Sequence, residues 1–166
     1  MSFPLEFRRL GAAALALALA GAAHAQIGPG DIFPPLAAAA AALPATQGRV
    51  LLVDFWASWC APCKASFPAY AKIYRDDGPR GLVIVAVSVD DSPDDYANFI
   101  RRHAPPFFTL LDRGHRLVGQ VRVPAMPTSY LIGRDGRVRF VHEGFHGAET
   151  ERALRAEIET LLEEKS

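Results

Sequence analysis

Hydrophobic positions along this chain fall into two regimes. Val50 to Phe55 is a continuous apolar run broken only by Asp54, and Leu82 to Val89 is a second run rich in Val and Ile. Runs of this length without alternation predict strands buried on both faces. Between them, Phe67, Ala71 and Tyr74 lie on one helical stripe, with Tyr70 and Ile73 beside it. That stripe predicts a helix from about Cys60 to Asp76. Pro68 falls inside it and is expected to kink it. Gly78-Pro79 and Gly81 punctuate its end. Two buried runs around one helix make a βαβ unit with parallel strands.

Shorter elements follow. Ser92-Pro93-Asp94-Asp95 is a helix start, with Ser as N-cap, Pro at the first position and acids in the first turn. Tyr96, Phe99 and Ile100 supply its apolar face, and Pro105-Pro106 ends it. Phe107 to Leu111 reads as a strand, Arg116 to Val121 as a short helix and Thr128 to Ile132 as another strand. Asp135-Gly136 is a hairpin signal, so Val138 to His142 should pair back antiparallel. Glu149 to Glu164 is amphipathic, with Leu154, Ile158, Leu161 and Leu162 inward. The order predicts an α/β sheet, parallel at first and closed by an antiparallel hairpin.

The N-terminal part obeys neither regime. Arg8 and Arg9 precede an apolar stretch from Leu10 to Ala23, and Ala23-His24-Ala25 has the small residues of an A-x-A cleavage site. The stretch is shorter than the ~20 apolar residues that span a bilayer. Residues 1–25 are read as a cleaved signal peptide, with Gln26 first in the mature chain; the competing reading is an uncleaved anchor. The paired arginines raise twin-arginine export, but Phe7 and Gly11 flank them poorly for it. Residues 26–48 form an arm with Pro29, Pro34, Pro35 and Pro44 around an alanine run. Leu36 to Leu43 is compatible with a short helix between proline stops or with a loose arm. Residues 49–166 remain as one domain.

Composition narrows function. In 166 residues, 18 basic and 18 acidic side chains cancel, and half the residues are apolar. A balanced surface argues against nucleic acid as the main partner. Only two cysteines are present, three residues apart. A disulfide between them closes too small a loop to staple a fold, which points to reaction rather than stabilisation.

Cys60–Ala61–Pro62–Cys63 follows a predicted strand where a helix begins. There the helix dipole and free backbone N–H groups stabilise a thiolate, which is the nucleophile. The spacing puts both sulfurs on one helix face and lets them form a disulfide. Pro62 falls in the first turn, where its missing N–H costs little. Cys60 is expected to attack and Cys63 to resolve the mixed disulfide. Half a zinc site is the competing reading. Structural zinc takes four ligands, no second cysteine pair exists and the five histidines are scattered, so no metal is expected. His103 and His115 read as solvated helix-end or loop residues, and His142 and His146 flank a glycine rather than sharing a helix face.

Val53-Asp54-Phe55-Trp56-Ala57-Ser58-Trp59-Cys60-Ala61-Pro62-Cys63 resembles the active-site segment of thioredoxins. Met126-Pro127-Thr128, opening a strand before a hairpin, resembles the family's cis-proline segment. The extra helix and strand, about Asp90 to Asp112, resemble the insertion of exported thioredoxin-like proteins of the TlpA and ResA type, related to the DsbE reductases of cytochrome c maturation. The resemblance covers roughly Gly48 to Lys165. It implies a thioredoxin fold: a central mixed sheet with parallel strands and a C-terminal antiparallel hairpin, flanked by helices, with an α-β insertion.

The resemblance also assigns roles. Pro127 would be a cis-proline facing the sulfurs, and Met126 would offer backbone groups to an incoming chain beside Thr128. Asp54 matches a buried acid that accepts a proton from the second cysteine; a satisfied structural acid is its competing reading. Trp59 and Trp56 resemble tryptophans that line the motif, and core packing explains Trp56 equally well. Three departures stand out. Ala61 replaces the acid that ResA-type proteins often carry between the cysteines. Asp54 stands where many members have a polar amide. The segment before Gly48 lacks an N-terminal hairpin.

These readings converge on a periplasmic thiol–disulfide oxidoreductase that uses no cofactor beyond its Cys60–Cys63 disulfide. It is expected to be a monomer that reduces disulfides of exported proteins, such as the haem-binding cysteine pairs of apocytochrome c, and is recharged by a membrane thiol-transferring electron donor. The competing functions are a disulfide-introducing oxidant, a copper(I)-handling protein using both thiolates and Met126, and a module that holds unfolded chains in the cis-proline groove.

Overall fold

The computed structural model describes residues 26–36, 43 and 45–164. The signal-peptide reading, and most of the helix considered for Leu36 to Leu43, lie outside them.

Five strands form one sheet in the order β3-β2-β1-β4-β5. Central β1 (Val50–Trp56) is buried at all seven positions and runs parallel to β2 (Leu82–Ser88), as the two largely apolar runs around one helix predict. The helix α1 (Ala61–Asp77) connects them, followed by a 3-10 turn at Gly78–Arg80. Helix α2 (Pro93–His103) leads to β3 (Phe108–Leu111), which adds parallel to β2. A 3-10 turn (Arg113–His115) and α3 (Arg116–Val121) precede β4 (Thr128–Ile132). The strand β4 is antiparallel to β1 on one side and to β5 (Val138–Glu143) on the other. Helix α4 (Ala148–Glu163) closes the chain.

From Val50 onward the expected elements are present among the described residues, with ends moved by a residue or two. β1 gains Trp56 because Ser88 is there to pair with it. α1 begins at Ala61, with Cys60 as its cap, and continues as helix across Pro68 to Asp77. Phe107 and Val89 fall outside their strands and Glu143 is added to β5.

Each face of the sheet buries its own core. On one side Val50, Leu52 and Trp56 meet α1 and α4 through Phe67, Tyr70, Ile73, Leu154, Ile158 and Leu161. Trp56 is the hub of an aromatic cluster there, with ring centroids 4.8 Å from Phe67 and 4.4 Å from Phe99. On the other side Val53, Phe55, Val85 and Tyr130 meet α3 through Leu117 and Val121.

Residues 26–36 of the arm are docked on the domain. Ile32 forms an antiparallel bridge with Arg137, the Gly30 N–H donates to the Val138 carbonyl at 2.8 Å, and the Phe33 N–H donates to Gly136 at 3.0 Å. Phe33 and Leu36 are buried in the second core, Phe33 with its ring 5.5 Å from Tyr130. The arm thus covers both a sheet face and part of the β5 edge. Among the described residues no helix is long and apolar enough to cross a membrane.

Candidate functional site

Cys60 stands where β1 has ended and α1 has not begun. Its backbone is extended (φ −82°, ψ 111°), the conformation of a cap, and its sulfur accepts the Cys63 N–H at 3.2 Å. The first turn of α1 carries no acid, and Pro62 occupies a position whose N–H no helical carbonyl would receive. The sulfur therefore lies in the field of the helix N-terminus, which favours an anion. The two cysteines form a disulfide with Cα atoms 5.3 Å apart. Cys63 is fully buried, whereas Cys60 retains 5% exposure. Ala61, Pro62 and Lys64 are exposed around it.

Trp59 and Trp56 separate completely. Trp59 is 70% exposed beside Cys60, while Trp56 is fully buried in the core. Trp59 is thus open to an incoming chain, and Trp56 is a packing residue whose indole N–H has no hydrogen-bond partner.

The Met126–Pro127 peptide is cis. Thr128 pairs with Phe55 near the end of β1, which brings this segment to the end of the sheet where the cysteines lie. Met126 is half-buried and packs against the cluster that contains both cysteines. The Pro127 carbonyl accepts the Gly144 N–H at 2.8 Å, and the buried Thr128 hydroxyl donates to the Ala125 carbonyl at 2.8 Å. The Thr128 side chain serves its own loop, and of Met126, Pro127 and Thr128 it is Met126 that is partly exposed.

Asp54 shares the α1 face of β1 with Leu52 and Trp56, because side chains alternate along a strand. It is fully buried. One carboxyl oxygen accepts the Tyr70 hydroxyl at 3.0 Å and the Ser129 hydroxyl at 2.9 Å, and those two hydroxyls are 2.8 Å apart. The other oxygen has no partner. Burial pushes the Asp54 pKa up to about 7, and the two hydroxyl donors, which favour the anion, only partly oppose this. Burial and the adjacent carboxyl push the Tyr70 phenol well above its ordinary range, so it acts as a neutral donor. An acid balanced near neutrality can take or give a proton without leaving the core.

Tyr70 and Ser129 were not among the expected site residues. Tyr70 read as part of the apolar stripe, and Ser129 as an ordinary strand position. Their sequence signal is a hydroxyl on an otherwise apolar helix stripe (Tyr70) and in a wholly buried strand (Ser129); the partnership appears once register sets Asp54 opposite Ser129. Among the described residues no group of three or more His, Cys, Asp or Glu side chains is placed to hold a metal ion. His142 instead contacts Glu157 at 2.6 Å, His115 lies near the Val89 carbonyl, and His103 stacks on Phe99.

The chain is similar to known proteins. The ResA thiol-disulfide oxidoreductase of Bacillus subtilis is 34% identical over 92 residues, 55% of this chain and 51% of its own length. The ResA of Bacillus anthracis is 30% identical over 92 residues, 55% of this chain and 53% of its own. The chain spans about half the length of these curated relatives. A crystal structure of a protein assigned as thiol:disulfide interchange protein DsbE from Chlorobium tepidum superposes with a TM-score of 0.74 at 30% identity, covering 82% of this chain and 99% of that one. StoA of Bacillus subtilis, at 24% identity and a TM-score of 0.58, covers 64% of this chain and 82% of its own, and supports the fold alone. The sequence pattern of the AhpC/TSA family matches residues 34–141, and the chain belongs to that family, with a thioredoxin-like fold.

Proposed function

We propose that this member of the AhpC/TSA family is a thiol–disulfide oxidoreductase acting on exported proteins in the periplasm, in the reducing direction. The carrying observation is the Cys60–Cys63 disulfide at the start of α1, with one sulfur at the cap and the other sealed in the core. In the reduced form the Cys60 thiolate attacks one sulfur of a substrate disulfide. The substrate S–S bond breaks, and the leaving thiolate takes a proton. Cys63 then gives up its proton, with Asp54 as the acceptor, and attacks the Cys60 sulfur. The second substrate thiolate departs and is protonated. Two electrons and two protons pass to the substrate, and the protein is left as the disulfide.

Ala61 and Pro62 put no charge or extra donor between the cysteines, which supports a reductant rather than a strong oxidant. Trp59 and the Met126–Pro127 edge would receive the substrate chain. A membrane thiol-transferring donor would restore the dithiol, and apocytochrome c cysteine pairs are a substrate of suitable chemistry.

The test is reduction of a fluorogenic disulfide peptide by the dithiothreitol-regenerated protein. Cys60→Ser should abolish turnover, and Cys63→Ser should accumulate a mixed disulfide through Cys60. Trapping through Cys63 instead would reverse the assigned roles.

A further inference from the structure

The turn that carries Trp59 and Cys60 is tied to another strand by one buried acid. Asp90 lies two residues beyond the end of β2 and is 4% exposed. Its carboxylate accepts the Ser58 N–H (3.0 Å to Oδ1, 3.2 Å to Oδ2), the Ser58 hydroxyl at 2.8 Å and the Ser88 hydroxyl at 2.8 Å. The Ser88 hydroxyl in turn accepts the Asp90 N–H at 3.0 Å. The turn is also fixed on either side of Ser58, where the Val89 N–H donates to the Trp56 carbonyl at 2.8 Å and the Cys60 N–H donates to Ala57 at 3.1 Å.

This carboxylate is not engaged by the helix that follows it. Ser92 caps α2 by accepting the Asp95 N–H, and Asp91 is exposed. Asp90 points back toward the motif. A chain advances at most ~3.6 Å per residue, so the Ser58 Cα lies within about 7 Å of the Cys60 Cα. A buried carboxylate with three donors is a stiff anchor, since losing it would leave the fully buried Ser88 hydroxyl without its acceptor and free Ser58 on both its backbone and its side chain.

We propose that Asp90 is a positioning residue of the redox pair. By holding Ser58 on both its backbone and its side chain, it keeps Cys60 in the extended conformation that caps α1. Only there does the sulfur receive the Cys63 N–H and the field of the helix N-terminus, the two influences that favour its thiolate. The inference rests on Cys60 being the nucleophile. It adds that the reactivity of Cys60 is set partly from β2, through a residue that touches neither sulfur nor substrate.

The test is the pH profile of Cys60 alkylation by iodoacetamide in the reduced protein, with the labelled site identified by mass spectrometry. Asp90→Ala should shift the profile to higher pH and slow labelling at pH 6.5 by about threefold or more, as the thiolate fraction falls. Asp90→Asn keeps one acceptor oxygen for the Ser58 N–H and should recover at least half of that loss. The double variant Ser58→Ala/Ser88→Ala removes both hydroxyl donors and should shift the profile in the same direction by about twofold. An Asp90→Ala profile that superimposes on the wild type overturns the inference. Where circular dichroism shows Asp90→Ala unfolded, the same superposition for the double variant overturns it. A wild-type Cys60 that titrates like an ordinary thiol would instead count against the proposed function.

Discussion

The Tyr70 hydroxyl donates to the Asp54 carboxyl at 3.0 Å, joining the middle of helix α1 to the centre of the sheet. Cys63 lies two turns before Tyr70 on the same helix, and both are fully buried. The phenol is thus part of the environment in which the acid titrates, and that environment is reached from the helix that carries the buried thiol.

Tyr70→Phe should therefore move Asp54 away from neutrality. Loss of a donor that favours the anion raises its pKa above about 7. If Asp54 accepts the Cys63 proton, the rise of mixed-disulfide resolution with pH should shift to higher pH, and Ser129→Ala should do the same. Stopped-flow decay of a preformed mixed disulfide from pH 6 to 9 measures this. An unshifted profile in both variants would show that the hydroxyls do not tune the step.

Asp54→Asn should slow resolution while leaving the first attack by Cys60 intact. Loss of a general base costs about 10²–10⁴-fold. Burst kinetics, with an unchanged first phase and a slowed second, check it. An unchanged second phase would make Asp54 a structural acid.

The same substitution should change the dependence of stability on pH. The folded Asp54 pKa is raised from 3.8 to about 7, so between those values the folded state holds a proton that the unfolded state has released. Stability then falls as pH rises through this window and levels off above about 7. At about 1.36 kcal/mol per pH unit the accumulated loss is on the order of 4 kcal/mol. Urea unfolding of the wild type at pH 4.5 and pH 8 should show this contribution, and Asp54→Asn should lack it. Equal pH slopes for the two proteins would mean that burial does not perturb Asp54 as described.

Phe33→Ala should destabilise the protein although Phe33 lies outside every helix and strand. Its ring is buried against Tyr130, and truncating a buried Phe costs about 3–5 kcal/mol when the site cannot collapse. A shift of the urea midpoint without a change in the reduction potential is expected. A midpoint unchanged within error would show that the arm contributes no core.

The reduction potential should lie nearer ~−270 mV than ~−120 mV. The helix start gives Cys60 one sulfur-directed N–H, and neither Ala61 nor Pro62 adds a donor side chain. The exposed Lys64 stands in the first turn, outside the buried pair. Equilibration against glutathione buffers measures the potential, and a value above about −160 mV would favour the oxidant reading.

What was legible in the chain follows from how each contact is encoded. The strands at Val50 and Leu82 announce themselves because burial on both faces demands unbroken apolar runs. Asp54 is visible as the exception within one of them. The Cys60–Cys63 spacing and Ser92-Pro93 are local, so their helix starts can be read directly. The partners of Asp54 cannot, because Ser129 is 75 residues away and is set opposite only by the register of β4 on β1. Asp90 and Ser58 meet across 32 residues for the same reason, at the ends of adjacent parallel strands. The arm escapes periodicity altogether, since it docks largely by single backbone bonds around prolines rather than by a repeating face.

The course of that arm gives the molecule a polarity useful for handling it. Gln26 lies beside Glu143, whose strand position is opposite Thr128 at the cysteine end of the sheet. The far end of the chain is held at the other pole, where Arg134 donates to the Leu162 carbonyl and Arg139 pairs with Glu164. A tag, fluorophore or solid support joined at the α4 end would therefore sit at the pole opposite the cysteines and leave the disulfide facing outward.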